Sequence, residues 1–119
     1  MPETIKDRST SALRRWPRFE ADVPVRIIVK DDYKVVILDG CGNSLNEGGM
    51  AMFAGAELKL GTQVAVEFTP ACSGPIRVEA RVCNRSGYVY GVEFLTDTCA
   101  RQKQAARFRR HLQAITGTA

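Results

Sequence analysis

The stretch Ile76-Arg77-Val78-Glu79-Ala80-Arg81-Val82-Cys83-Asn84-Arg85 decides the fold. Ile76, Val78, Ala80 and Val82 share one face; Arg77, Glu79, Arg81, Cys83 and Arg85 share the other. Alternation of this kind is the period of a strand with one face on a core and one on water. Ser86-Gly87 follows as a tight turn, and Tyr88 to Leu95 returns as the hairpin partner. On this reading Tyr88 and Tyr90, with Arg81 and Arg85, belong to the outer face of the hairpin.

Working upstream, the same period recurs. Gln63 to Thr69 turns Val64, Val66 and Phe68 inward, between turns at Gly61-Thr62 and Pro70 to Pro75. Met50 to Ala54 reads as a short strand. Gly40 to Gly49, rich in Gly, Asn and Ser, reads as a loop. Lys34 to Asp39 reads as a strand whose Val35-Val36-Ile37-Leu38 run suits cover on both faces. Asp31-Asp32 is a turn. From Phe19 to Lys30, Phe19, Ala21, Val23, Val25, Ile27 and Val29 fall on one side, and Pro24 places the strand where one ladder donor is dispensable. Six short strands separated by turns predict a small antiparallel β-barrel.

Downstream, the period changes. Ala105, Phe108, Leu112 and Ile115 recur at three and four residues, and Asp97 or Thr98 precedes them as a cap. The pattern predicts a helix to about Thr116 lying on the barrel. The fold expected is therefore mainly β: a six-stranded antiparallel barrel with a C-terminal α-helix, formed by residues 14–116 behind a flexible tail, 1–13.

The chain has 119 residues, the size of one domain with its own core. Its charge is unevenly spread. Residues 1–18 hold five basic and two acidic side chains, residues 19–98 seven and eleven, and residues 99–119 five and none. Basic ends around an acidic middle attract phosphate-bearing partners. Cys41, Cys72, Cys83 and Cys99 form no metal-ligand spacing, and the one histidine, His111, has no orienting partner in the sequence. The cysteines read as free, buried or half-buried thiols. With no secretory leader and no apolar run near the ~20 residues of a spanning helix, the expected location is cytoplasmic, with no membrane span. No residue set supports an enzyme, a metal or a cofactor.

Two stretches carry chemistry. Arg14-Arg15-Trp16-Pro17-Arg18 puts three arginines in five residues just before the first strand. In extended chain Arg14 and Arg18 lie on the order of 13 Å apart, and guanidinium forks suit both phosphate and purine edges. Ser44-Leu45-Asn46-Glu47-Gly48-Gly49 offers short donors and acceptors on a glycine turn. Taken alone, the first stretch reads as a solvated basic arm and the second as an ordinary turn.

Together, with the strands between and after them, the two stretches resemble the PilZ domain family. Its pattern is Arg-x-x-x-Arg before the first strand and Asp/Asn-x-Ser-x-x-Gly at the turn after the second. Arg14 and Arg18 match the first motif, with Arg15 as the frequent doubled arginine; Gly91-Val92-Glu93-Phe94 is similar to the end of the family's last strand. The resemblance implies a receptor for cyclic di-GMP that passes the signal to an unidentified downstream protein. It places Arg14, Arg15 and Arg18 on phosphates and guanines, and Ser44, Asn46, Gly48 and Gly49 at a guanine edge. Ser44 stands where the family has Asp or Asn, and Asn46 where it has Ser. A lost charge-assisted contact costs about 1.5–3 kcal/mol. The alternative is therefore a degenerate PilZ protein acting as an interaction adaptor without nucleotide. A nucleic-acid polymer as partner is the least favoured reading.

Overall fold

The computed structural model describes residues 18–30, 33–71 and 73–115, with residues 18–22 described by their backbone alone. Six strands, β1 (Arg18–Lys30), β2 (Val35–Leu45), β3 (Gly49–Ala54), β4 (Gln63–Phe68), β5 (Ile76–Ser86) and β6 (Val89–Phe94), precede one helix, α1 (Cys99–Ile115). The strands close into an antiparallel barrel in the order β1-β2-β3-β6-β5-β4, with β4 returning to β1. The alternation in β5 holds: Ile76, Val78, Ala80 and Val82 are all buried.

Each strand contributes one inward set. Ile27, Met52, Val66, Val78 and Tyr90 are among the side chains fully removed from water. Tyr90 departs from the outward placement expected for it, because β6 sends residues 90, 92 and 94 inward. Its ring fills the core, and its hydroxyl accepts a hydrogen bond from the Leu58 N–H at 2.9 Å and reaches the Ala56 carbonyl at 3.4 Å. The segment between β3 and β4 is thereby tied to the barrel interior.

The helix begins as expected. Thr98 Oγ1 accepts from the Arg101 N–H at 3.1 Å, and Asp97 pairs with Arg101 at 3.0 Å. Ala105, Phe108 and Leu112 are buried, while Ile115, the fourth member of the stripe, is largely exposed. Phe108 meets Phe68 and Phe94 edge-on, with ring centroids 5.1 and 5.6 Å away. The helix packs on β5 and also covers the ends of β4 and β6 through this aromatic trio.

Three expectations need correction. Gly40 to Leu45 is strand, not loop: β2 continues, pairing Gly40 with Ala54 and Gly42 with Met52. Glycine serves close backbone approach here, since a Cβ on Gly40 would come within 2.4 Å of the Phe53 carbonyl oxygen. Val35 and Ile37 are 56% and 57% exposed, so the run 35–38 is not covered on both faces. The helix packs chiefly on β5. Cys83 and Cys99 are exposed and only Cys41 is half-buried; all three are free thiols. Cys72, the Asp31-Asp32 turn and the 1–13 tail lie outside the described residues.

Replacing Tyr90 by Phe keeps the ring and strands the Leu58 N–H in the interior. The expected loss of stability is about 1–3 kcal/mol, measured as a lowered urea midpoint at unchanged slope.

Candidate functional site

The Ser44–Gly49 stretch divides between strand and turn. Ser44 and Leu45 end β2, Gly49 begins β3, and Asn46-Glu47-Gly48 is the connection. The Asn46 N–H donates to the Gly49 carbonyl at 3.0 Å, and the Gly48 N–H donates to Asn46 Oδ1 at 3.1 Å. The second contact is an Asx turn, in which a side-chain acceptor replaces a backbone one. From the far side, the Phe94 N–H donates to the Gly48 carbonyl at 2.9 Å. The turn is thus tied to itself and to β6.

The two glycines differ in environment. A Cβ on Gly49 would lie 1.8 Å from the Val92 carbonyl oxygen, an overlap with backbone that no side-chain motion relieves. Gly49 lets β3 pair closely with β6. A Cβ on Gly48 meets nothing within 4 Å, and Gly48 is exposed.

The register of β1 and β2 brings the end of the arginine stretch to this turn. Arg18 is the Cα partner of Ser44 across the β1–β2 ladder. Arg14 and Arg15 lie outside the described residues. The ladder is irregular around this point: it shifts between Arg18 and Val23 on β1, between Gly42 and Ser44 on β2, and between Val82 and Asn84 on β5. Bulges bend a strand and re-aim its side chains, and they gather next to functional sites. Here all three neighbour the 44–49 stretch or the β5–β6 surface beside it.

That surface and the turn enclose a shallow groove of about 170 Å³, lined by Asn46, Gly48, Cys83, Asn84, Gly91, Val92 and Glu93. Asn84 lies over Gly91, where a Cβ would fall 2.5 Å from its Oδ1. Desolvation by its neighbours, and then the nearby Glu93 carboxylate, push the exposed Cys83 thiol upward from its usual range. Cys83 therefore stays a neutral thiol at pH 7, with Glu93 Oε1 at 3.6 Å. A larger cleft of about 640 Å³ runs between β1, the β4–β5 connection and Ile115; none of the described candidate residues lines it.

The helix adds a residue that the sequence does not single out. Arg109 Nη1 donates to the Asn46 carbonyl at 2.8 Å and Nη2 to the Glu47 carbonyl at 3.2 Å. Its guanidinium carbon sits 5.2 Å from the Phe94 ring centre. Its desolvation pulls its pKa down from the usual value, as expected for a cation taken partly out of water. Asn84 and Glu93 are likewise not legible as site residues in the sequence, because only the barrel closure sets them beside the turn. Among the described residues, no group of His, Cys, Asp or Glu is arranged to hold a metal ion. No helix among them is long and apolar enough to cross a membrane.

The PilZ domain family model matches residues 12–114, and the chain belongs to that family. PilZ domains generally bind cyclic di-GMP and are regulatory rather than catalytic. A comparison with curated proteins finds no match. Among solved structures, the PilZ domain of CeSA from a cellulose-synthesizing bacterium is 20% identical in sequence, with a TM-score of 0.63. The alignment covers 82% of this chain and 98% of that one, a likeness of fold.

The two glycines should respond oppositely to a methyl group. Gly49→Ala is expected to cost on the order of 3 kcal/mol or more through backbone overlap. Gly48→Ala should stay within about 0.5 kcal/mol of the parent. Thermal melts of both variants beside the parent check this.

Proposed function

We propose that this protein is a cyclic di-GMP receptor whose ligand is held between the Arg14–Arg18 arm and the Ser44–Gly49 stretch. The carrying observation is the register that sets Arg18 opposite Ser44 in a PilZ chain. Cyclic di-GMP presents two phosphodiester charges and two guanine faces. Arg14, Arg15 and Arg18 supply planar forks for both. Ser44, Asn46, Gly48 and Gly49 form the guanine-edge side of the clamp.

The groove beside the turn supports a two-part site. Enclosing pockets for small molecules run from about 300 to 1,000 Å³. At about 170 Å³ this groove suits one part of such a ligand, and the arm has to cover the remainder. Residues 1–13 then precede a binding unit formed by residues 14–116. Closing the arm changes the surface offered to a downstream protein, which is how binding becomes a signal.

The substituted motif favours a second reading. Asn46 Oδ1 already accepts from the Gly48 N–H, and Ser44 has no carboxylate to meet the guanine N1–H and N2–H₂ donors. A module with these residues can serve as an adaptor that binds protein and no nucleotide.

Calorimetry with cyclic di-GMP separates the two. The receptor predicts saturable heat below roughly 100 μM ligand, and Arg14→Ala or Arg18→Ala should each weaken binding about tenfold or more. The paired change Ser44→Asp with Asn46→Ser should strengthen it by about one to two decades. No heat from the natural protein at that concentration, with heat appearing only in the paired variant, would reject the receptor and favour the adaptor.

A further inference from the structure

Two consecutive carbonyls of the turn converge on one guanidinium of the C-terminal helix, although Asn46 and Glu47 lie 63 and 62 positions from Arg109. A planar fork with fixed donor directions can hold two adjacent peptide planes at once; an ammonium is a point charge and sets no such plane. Holding those planes fixes the direction in which the Asn46 side chain leaves the turn. Arg109 directly follows Phe108, which is anchored between Phe68 and Phe94. The fork is therefore presented from a buried, well-packed part of the helix, and the face of Phe94 supports it from below.

We infer that Arg109 is a positioning residue, which holds the Asn46–Gly48 turn in its ligand-receptive shape and makes α1 part of the response to ligand. This rests on reading that turn as part of the cyclic di-GMP site. Coupling between two elements is reciprocal. If helix docking shapes the turn, ligand on the turn tightens helix docking, and the helix surface becomes an output of the receptor. Arg109 touches backbone and needs no contact with the nucleotide.

The test uses the full chain in four forms: parent, Arg109→Lys, Arg109→Met and Arg110→Ala. Lysine keeps the charge and loses the fork. Methionine keeps an apolar stem over Phe94 and loses the donors. Arg110→Ala removes a neighbouring charge that is exposed. Two readouts are taken: calorimetry with cyclic di-GMP, and amide hydrogen exchange without ligand. Expected is a loss of affinity of about tenfold in both Arg109 variants and less than about threefold in Arg110→Ala. In ligand-free protein the Asn46 amide, bonded to the Gly49 carbonyl, should exchange at least about tenfold faster in Arg109→Met. The Gly61 and Val82 amides, bonded to Val82 and Thr62, should not change and so report an intact barrel.

Parent-like affinity in Arg109→Lys would reduce the residue to a source of charge and overturn the inference, as would unchanged Asn46 exchange in Arg109→Met. If the parent itself gives no heat, the cyclic di-GMP reading fails. Faster Asn46 exchange would then still uphold Arg109 as the clasp of the turn, and an unchanged rate would overturn that too.

Discussion

The close pairing of β3 with β6 at Gly49 is the constraint on which the rest of the structure depends. The Val92 carbonyl occupies the space that any side chain at position 49 would need. That contact sets Gly49 opposite Glu93 and Met50 opposite Val92, and so fixes where β3 begins. Once β3 is placed, β2 must end at Leu45, paired with Met50, and three residues remain to make the connection. The Gly48 carbonyl then meets the Phe94 N–H, and Phe94 carries the ring on which both Phe108 and Arg109 rest. One missing methyl group thus connects the barrel, the turn and the helix.

The site that results is unequal in its parts. The turn is held on three sides: by its own Asx bond, by β6 and by the helix. Such a platform can present hydrogen-bonding groups with little ordering cost when a ligand arrives. The arm begins where β1 pairs Arg18 with Ser44, and its arginines carry the charge that the acidic middle of the chain lacks. In the receptor proposed above, the turn is the surface that recognises and the arginine stretch is the segment that closes. The bulges near Asn43 and Cys83 bend the strands at the platform, which leaves the shallow groove beside the turn.

Much of this architecture is legible in the residue spacing. The inward sets of β4 and β5 and the Thr98 cap follow from it, because burial on one face imposes a period of two on strands and 3.6 on helices. The PilZ resemblance rests on residues within the span that the family model covers. The features that the spacing misrepresents have a common cause: a tertiary contact outweighs a local preference. Gly40-Cys41-Gly42 looks like a loop because glycine lowers strand propensity, yet the strand persists because β1 and β3 pair with it on both sides, and at Gly40 the Phe53 carbonyl leaves no room for a side chain. Tyr90 reads as part of the hairpin's outer face, yet its ring is buried because the interior supplies its hydroxyl with the Leu58 N–H and the Ala56 carbonyl.

By itself the sequence determined the alternating faces, the helix stripe and the two motifs, since these are local periods and spacings along the chain. Only the tertiary structure decided that Arg109 would hold the turn, that Asn84 and Glu93 would border it, and that the β3–β6 pairing would leave no room for a side chain at position 49. Those relations join residues on separate strands or dozens of positions apart. They arise when the barrel closes and its bulged strands bring unrelated segments into contact, and no local pattern encodes which ones will meet.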